Sequence, residues 1–350
     1  MRFALLALTS LLWTASAEAQ QGPPSCRSDD ALTELAAAVA AFARDHDGRA
    51  PSSASLSRAL RASGSGFPTV SVHVARVGPS TPPPTSSSSR CGLADAGTGG
   101  ARFRASIGAI EEATWSVSRR GGSYHLRALV APHMTHVEAF SLDERGNARR
   151  VALARDGPFV IARVTEAELP VRLQISASDG RGPRPVVTVD LPTAMADAAA
   201  LRALLAPADP MGASATDDPT RLVHRVARVR DEAGAPRLRP NRLLTRLGRE
   251  HAQAMCNARR VAHVVDARRG DLEARAARIG LFARSLGEAV ARSNDASGAL
   301  RAVLSSPSHR ALVLDRRWTD FGAGTAPDAR GRTCLVLVLA AWPRLGSVQR

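Results

Sequence analysis

The sequence predicts an α+β protein of several domains: a small N-terminal α/β module, an immunoglobulin-like β-sandwich, and a C-terminal domain of helices and closing strands. The chain has 350 residues, which is more than one ordinary domain holds. Short strands recur at regular spacing in the middle of the chain, and helical periodicity dominates after about residue 217. The expected ranges are 26–113 for the N-terminal module, 114–192 for the sandwich, 193–216 for a linker, and 217–345 for the C-terminal domain.

Residues 1–19 have the pattern of a secretory signal peptide. Arg2 precedes a mostly apolar stretch from Phe3 to Trp13, and small residues follow at Ala15, Ala17 and Ala19. The alternative is a buried N-terminal helix. No later stretch reaches the roughly 20 apolar residues that a transmembrane helix needs. We therefore expect a mature protein that is soluble outside the cytoplasm, in the periplasm or secreted.

The formal net charge is +15, and every positively charged side chain apart from histidine is an arginine. A nucleic-acid-binding protein can carry such a charge. However, the arginines are spread over the whole chain, and aromatic residues make up only 4%. Together with the expected export, this argues against nucleic acid as a partner. Total absence of lysine indicates the codon usage of a GC-rich genome, and weak attraction to anionic envelope polymers or lipid headgroups remains compatible with the charge.

Four cysteines in an exported chain permit two disulfides. Cys26 and Cys91 bracket one region, and Cys256 and Cys334 bracket another. Pairing within each bracket is the simplest of the three possible connectivities, and buried free thiols are the alternative for the second pair. No C-x-x-C motif occurs, so the cysteines predict neither a zinc knuckle nor a redox site of the thioredoxin type.

The N-terminal module has two predicted helices, over residues 29–45 and around Leu56 and Leu60, followed by a strand over 69–77. A loop rich in proline and serine is predicted over residues 78–90. From residue 114 onward, alternating apolar residues and short turns predict the β-sandwich, without any catalytic constellation. His133 and His136 are close together there, and a surface loop is favoured over a metal site.

The predicted linker contains one possible short helix, over residues 194–205. Beyond it, the sequence predicts four helices and two closing strands. The first helix has an apolar stripe from Leu222 to Val229, and the second begins at Asn241. Its inward-facing His251 is more easily explained as a residue at the edge of the core than as a ligand. The remaining predicted elements are two helices over 271–279 and 296–305 and two strands over 318–325 and 333–342.

Several motifs in this C-terminal region resemble those of the CAP superfamily, which includes cysteine-rich secretory, antigen-five and pathogenesis-related proteins and many exported bacterial proteins. The matching segments are Arg230-Asp231-Glu232-Ala233-Gly234-Ala235-Pro236-Arg237-Leu238, Leu286-Gly287-Glu288-Ala289-Val290-Ala291, Ser306-Pro307-Ser308-His309-Arg310 and Asp320-Phe321-Gly322-Ala323-Gly324. Their order and spacing carry the resemblance better than any one of them does alone. The resemblance implies an α-β-α sandwich of CAP type over residues 217–345.

The resemblance also implies a cleft lined by His263, Glu288 and His309, which are the candidate catalytic residues. In relatives some such clefts bind zinc, so His263 and His309 are the candidate metal ligands. This chain departs from the family pattern, because Ala289 follows Gly-Glu where relatives have asparagine and no second cleft glutamate is found. Each residue has a structural alternative: Glu288 fixes a loop, His309 orients the Ser-Pro turn, and His263 is exposed to solvent.

The sequence therefore favours a non-enzymatic, exported protein whose C-terminal domain binds an envelope component, either a lipid or a protein. One alternative is a metal-assisted hydrolase or peptidase, in which the histidines hold the ion and Glu288 acts as the base. A second alternative is a lipid- or sterol-binding protein. No Gly-x-Ser-x-Gly motif or glycine-rich phosphate loop is present to support other chemistry.

Overall fold

The computed structural model describes residues 26–77, 88–97, 102–206 and 219–342. The predicted signal peptide, most of the predicted loop over 78–90, and the last residues of the predicted linker lie outside these ranges. No helix within them is long and apolar enough to cross a membrane.

The N-terminal module consists of a four-stranded sheet with helices packed on it. Asp29 begins the first helix by accepting a hydrogen bond from the backbone N–H of Leu32, at 3.0 Å. The elements are β1 (Arg27–Ser28), α1 (Asp30–Asp45), α2 (Ser53–Ala62), β2 (Ser71–Arg76), β3 (Arg90–Ala96), β4 (Phe103–Ala109) and, from later in the chain, α3 (Ala198–Leu205). The strand order is β1-β3-β4-β2. The two predicted helices and the predicted strand are found close to their expected positions.

Helix α3 corrects the prediction that residues 193–216 form a linker, because the first part of that segment belongs to the N-terminal module. Leu201 and Leu205 are buried in the same apolar core as α1 and α2. They lie four residues apart and therefore share one helix face, and Asp197 caps the helix through the N–H of Ala200. The chain thus returns to its first module after completing the sandwich.

The middle of the chain forms two antiparallel sheets that share one apolar core. The strands are β5 (Ala113–Arg120), β6 (Ser123–Val130), β7 (Thr135–Asp143), β8 (Ala148–Val151), β9 (Leu153–Asp156), β10 (Phe159–Thr165), β11 (Val171–Asp179) and β12 (Gly182–Leu191). One sheet has the order β5-β6-β10-β9 and the other the order β12-β11-β7-β8. Alternate residues of both sheets face inward, as the alternating sequence pattern requires.

The C-terminal domain is a sheet with helices on both faces. Its elements are α4 (Pro219–Glu232), β13 (Arg239–Pro240), α5 (Arg242–Asn257), α6 (Leu272–Arg278), β14 (Ser285–Ser293), α7 (Ala296–Ser305), α8 (Pro307–Leu314), β15 (Asp320–Pro327) and β16 (Thr333–Ala341). The order is β13-β15-β16-β14, which places β16, apolar except for Thr333, between β15 and β14. Helices α5 and α6 cover one face, and α4, α7 and α8 contribute to the core on the other.

Two glycines of the Asp-Phe-Gly-Ala-Gly motif explain how closely α5 approaches the sheet. A Cβ atom at Gly322 would lie 2.1 Å from the backbone nitrogen of Thr245, and one at Gly324 would lie 2.0 Å from that of Arg249. Only a residue without a side chain fits at either position. The motif therefore reflects helix-to-sheet packing rather than chemistry.

Both predicted disulfides are confirmed. Cys26 pairs with Cys91, and Cys256 pairs with Cys334. The first bond joins the start of the N-terminal module to β3, and the second joins α5 to β16. Each bond therefore lies inside one domain.

Candidate functional site

Glu288 lies at the centre of the candidate site. It is on β14, where it pairs with Val338 of the central strand β16. Its side chain is only 3% exposed. A buried carboxylate must be paired and hydrogen-bonded to remain ionised, so the residues around it decide what it can do.

Arg275 of α6 is the principal partner of Glu288, and the sequence did not reveal it. Its Nη2 atom donates to Glu288 Oε2 at 2.5 Å, and its Nη1 atom donates to the backbone carbonyls of His263 and Gly270 at 2.8 and 3.1 Å. The residue is 6% exposed. The sequence did contain a signal for its inward position. Arg275 follows Leu272 by three residues and precedes Ile279 by four, so helical spacing places it on the same inner face as these apolar residues.

His263 completes the contacts of the carboxylate. Its Nδ1 atom lies 2.9 Å from Glu288 Oε1, and its side chain is 14% exposed. If Nδ1 carries the proton, the neutral ring presents an unprotonated Nε2. Burial alone would raise the pKa of Glu288, but the hydrogen bond from His263 and the charge of Arg275 hold it below its usual value. Glu288 is thus an ionised and weakly basic carboxylate.

His251 lies behind this pair and is buried, deeper than the predicted core edge. Its Nε2 atom is 2.9 Å from the carbonyl of Ala262 and 3.9 Å from Glu288 Oε1. Burial lowers the pKa of His251, an effect that the nearby Glu288 charge opposes only in part. The ring is therefore a neutral support for the segment that leads to His263.

His309 lies in the first turn of α8, directly after Pro307 and Ser308. Burial, together with the neighbouring charge of His263, lowers the pKa of His309 to about 4. The imidazole is therefore neutral at pH 7. It is within electrostatic range of His263, but no hydrogen bond joins it to Glu288 or His263 within the described residues. The structure thus joins two of the three predicted site residues and leaves the third beside them.

The donor set does not fit a resident metal ion. Both oxygens of Glu288 already accept hydrogen bonds, and a cationic guanidinium rests on one of them. Among the described residues, no group of three His, Cys, Asp or Glu side chains is arranged to hold a metal. His133 and His136 are both exposed, but only His133 lies in a turn; His136 is the second residue of β7, not part of a loop as expected.

The β-sandwich contacts both histidine-bearing segments of the site. The carbonyl of Arg181, in the turn between β11 and β12, accepts hydrogen bonds from the backbone N–H groups of His263 and Val264, each at 3.0 Å. On strand β11, the Oε1 atom of Gln174 accepts a hydrogen bond from the backbone N–H of Ser308 at 3.0 Å. The sandwich is therefore part of the surroundings of this site.

A domain built in this way, with its central sheet and its His263–Glu288 pair, has the features of the CAP class. Residues 223–340 match the family model described as CAP, the cysteine-rich secretory protein family. The C-terminal domain of this chain is a CAP domain, and the resemblance found in the sequence is confirmed. No curated protein matches the chain.

Solved structures similar to this chain include three bacterial proteins. An extracellular protein containing an SCP domain from Bacillus anthracis is 15% identical, with a TM-score of 0.33, covering 65% of this chain and 67% of that one. A cysteine-rich secretory protein from Staphylococcus aureus is 11% identical, with a TM-score of 0.30, covering 65% and 83%. An outer surface protein from Borrelia burgdorferi is 16% identical, with a TM-score of 0.33, covering 35% and 92%.

Proposed function

We propose that this chain is an exported protein whose CAP domain binds a ligand or a protein partner without catalysing a reaction. The observation that carries the proposal is the state of Glu288. A general base needs an accessible lone pair and a pKa near the working pH. Glu288 is buried, bonded at both oxygens and held at a lowered pKa by His263 and Arg275. It therefore serves to hold the walls of the cleft together.

The contacts of Arg275 support the same conclusion. Its guanidinium ties three chain segments together: strand β14 through Glu288, the segment after α5 through the carbonyl of His263, and the start of α6 through the carbonyl of Gly270. A buried arginine with three such partners fixes the shape of a site. A cleft with fixed walls is suited to recognising a ligand or a protein surface.

A hydrolysis assay with a matched variant tests the absence of catalysis. The full mature chain and its Glu288→Gln variant are compared on labelled casein and on a simple ester, with and without added zinc. We expect equal hydrolysis rates for the wild type and Glu288→Gln on both substrates, because the Glu288 carboxylate is not available as a base. A rate in the wild type that is lost in both Glu288→Gln and His309→Ala would establish the hydrolase alternative instead.

A capture experiment tests the binding function. The immobilised chain is exposed to an envelope fraction, and retained lipids and proteins are identified by mass spectrometry. We expect a component that the wild type retains and that a His263→Ala/His309→Ala variant loses. Binding at this cleft would be contradicted if both forms retained the same components equally, or if neither form retained any.

We also infer that the β-sandwich is of immunoglobulin-like type. Its two sheets follow the orders β5-β6-β10-β9 and β12-β11-β7-β8. With the strands lettered in chain order, as A, B, C, C′, D, E, F and G, these orders become A-B-E-D and G-F-C-C′, the arrangement of that fold with one added edge strand. Such sandwiches commonly present binding surfaces, but the fold alone assigns no activity.

Export is supported by two features of the chain. The first 19 residues have a signal-peptide pattern, and both cysteine pairs form disulfides. Disulfides persist in oxidising compartments and are rare in the cytosol. We therefore place the mature protein in the periplasm or outside the cell.

A further inference from the structure

We infer that the β-sandwich is the intramolecular partner of the CAP cleft, and that a ligand reaches His263 and His309 only when the β11–β12 hairpin moves away. The same pair of strands holds both histidine-bearing segments. The hairpin turn binds the segment around His263, and β11 binds the start of α8, which carries His309. The inference holds whether the cleft binds or hydrolyses its ligand, so its failure is separable from that of the proposed function.

The hairpin turn is fitted closely against His263. Besides the two hydrogen bonds to Arg181 O, the adjacent Gly182 has a φ of +101° and leaves no room for a side chain. A Cβ atom there would lie 2.7 Å from His263 Cβ and 3.0 Å from its ring. The glycine allows the hairpin to approach the imidazole directly.

Strand β11 completes the N-terminus of α8. The N-cap residue of α8 is Ser306, whose side chain makes no capping bond to the helix. Instead, Gln174 Oε1 accepts hydrogen bonds from the N–H of Ser308 and from the Ser306 hydroxyl, at 3.0 and 3.2 Å. The first-turn N–H groups of a helix have no partner within the helix, so a group from the sandwich supplies one here. Gln174 is 2% exposed, which makes the contact part of a sealed interface.

Two arginines extend the contact to either side of Gln174. Arg172 donates to the carbonyl of Ser305 at 3.0 Å, and Arg310 of α8 donates to the carbonyl of Gly146 in the turn between β7 and β8. Apart from the packing of Gly182 against His263, these contacts are hydrogen bonds, and the buried apolar cores of the sandwich and the CAP domain form separate clusters. Interfaces without a shared apolar core are those at which domains move relative to each other. The sandwich thus covers the CAP cleft through an interface that can open.

The test compares two glycine variants of the full mature chain. Gly182→Ala places a methyl group against His263, whereas Gly157→Ala, in the hairpin between β9 and β10, is the matched control. Gly157 also has a positive φ, of +56°, but nothing lies within 4 Å of an added Cβ. The two changes share backbone strain, and only the first disturbs the contact with the cleft.

The readout is the rate at which diethyl pyrocarbonate modifies each histidine at neutral pH, measured by peptide mass spectrometry. In the wild type we expect His263 and His309 to react more slowly than the exposed His133 and His136. Gly182→Ala should raise the rate at His263 about fivefold, the effect of losing one typical hydrogen bond. Gly157→Ala should leave it unchanged. Equal His263 rates in all three proteins would overturn the inference.

A second pair of variants covers the case in which Gly182→Ala does not fold. Gln174→Ala removes the acceptor at the N-terminus of α8, and Gln174→Glu restores an acceptor with a charge that this end of a helix favours. We expect hydrogen exchange at the Ser308 amide to be about fivefold faster in Gln174→Ala and to return toward the wild-type rate in Gln174→Glu. Unchanged exchange in Gln174→Ala would show that the sandwich does not hold this helix.

Discussion

At the scale of single residues, Arg275 determines the state of the site. Replacing it by alanine leaves Glu288 buried without its cationic partner, which raises the pKa of that carboxyl. Removal of one partner of a buried ion pair costs about 3–5 kcal/mol of unfolding free energy. We expect a loss of this size for Arg275→Ala, measured by urea unfolding and located in the CAP domain by hydrogen exchange.

Arg278 provides the control for this prediction. It lies one turn further along the same helix α6, but it is exposed. Arg278→Ala should lower the unfolding free energy by no more than about 1 kcal/mol, because the hydrogen bonds of its guanidinium to the carbonyls of Arg268 and Arg269 are exposed to solvent. Equal unfolding free energies for Arg275→Ala and Arg278→Ala would show that the ion pair between Arg275 and Glu288 does not stabilise the cleft.

His309 makes the stability of the CAP domain depend on pH. Its pKa of about 4 in the folded state lies below the value of about 6.5 for an imidazole in an unfolded chain. Between these pH values the unfolded chain binds a proton that the folded chain excludes. The unfolding free energy contributed by this group is therefore complete above pH 6.5 and is lost as the pH falls, with a slope approaching about 1.4 kcal/mol per pH unit.

The pH prediction is checked by urea unfolding of the wild type and His309→Gln between pH 7 and pH 4. The variant lacks the titrating group, so its unfolding free energy should fall less steeply across this window. His133→Gln, at an exposed position, serves as the control and should follow the wild type. If the unfolding free energies of the wild type and His309→Gln fell in parallel with pH, the folded protein would protonate His309 as readily as the unfolded chain does.

Residue identities could be found from the sequence more easily than their contacts. Motif spacing was enough to propose His263, Glu288 and His309 as site residues. Arg275 was missed because arginine on a helix usually faces solvent, and its burial depends on a partner thirteen residues later on another element. The bond between Glu288 and His263 likewise depends on how the segment between α5 and α6 lies against β14, which no local pattern encodes.

At the scale of elements, the Cys256–Cys334 bond joins α5 to the central strand β16. It closes a loop with a sequence separation of 78 residues. Such a cross-link contributes about 4 kcal/mol in the chain-entropy model. We expect Cys256→Ala/Cys334→Ala to lower the protection of α5 amides against hydrogen exchange by a corresponding amount.

The other disulfide serves as the matched comparison for this prediction. Cys26 and Cys91 have a similar sequence separation, 65 residues, but lie in the N-terminal module. Their double alanine variant should weaken protection in α1 and β3 and leave α5 unchanged. An effect of either pair on both domains alike would contradict the expectation that each bond stabilises the domain in which it lies.

Elements with strong apolar periodicity were predicted well from the sequence, and short elements with weak periodicity were missed or misinterpreted. Helix α5 and strand β16 stand out through their apolar patterns, and both lie where the sequence placed them. Helix α8 was interpreted only as a Ser-Pro turn, because its eight residues have little amphipathic pattern and its N-terminus depends on Gln174 from another domain. The role of α3 was missed because its two leucines pack against helices more than 130 residues earlier.

At the scale of the whole molecule, the proposed export gives a direct prediction about the mature N-terminus. When the full chain is produced in a bacterial host, we expect the protein recovered outside the cytoplasm to begin after Ala17 or Ala19, with both disulfides formed. Protein sequencing of the N-terminus and mass measurement without reduction test this. A retained Met1 in the recovered protein would contradict the signal peptide.

The capping of α8 by Gln174 also has a consequence for the order in which the molecule assembles. A chain is synthesised from its N-terminus, and domains generally fold as units in that order. The segment that forms β11 is therefore made before Ser306 and Ser308, and the sandwich can fold first. We therefore expect the finished sandwich to offer a ready acceptor for the first turn of α8, so that the earlier domain acts as a template for the last helix of the CAP domain in chain order.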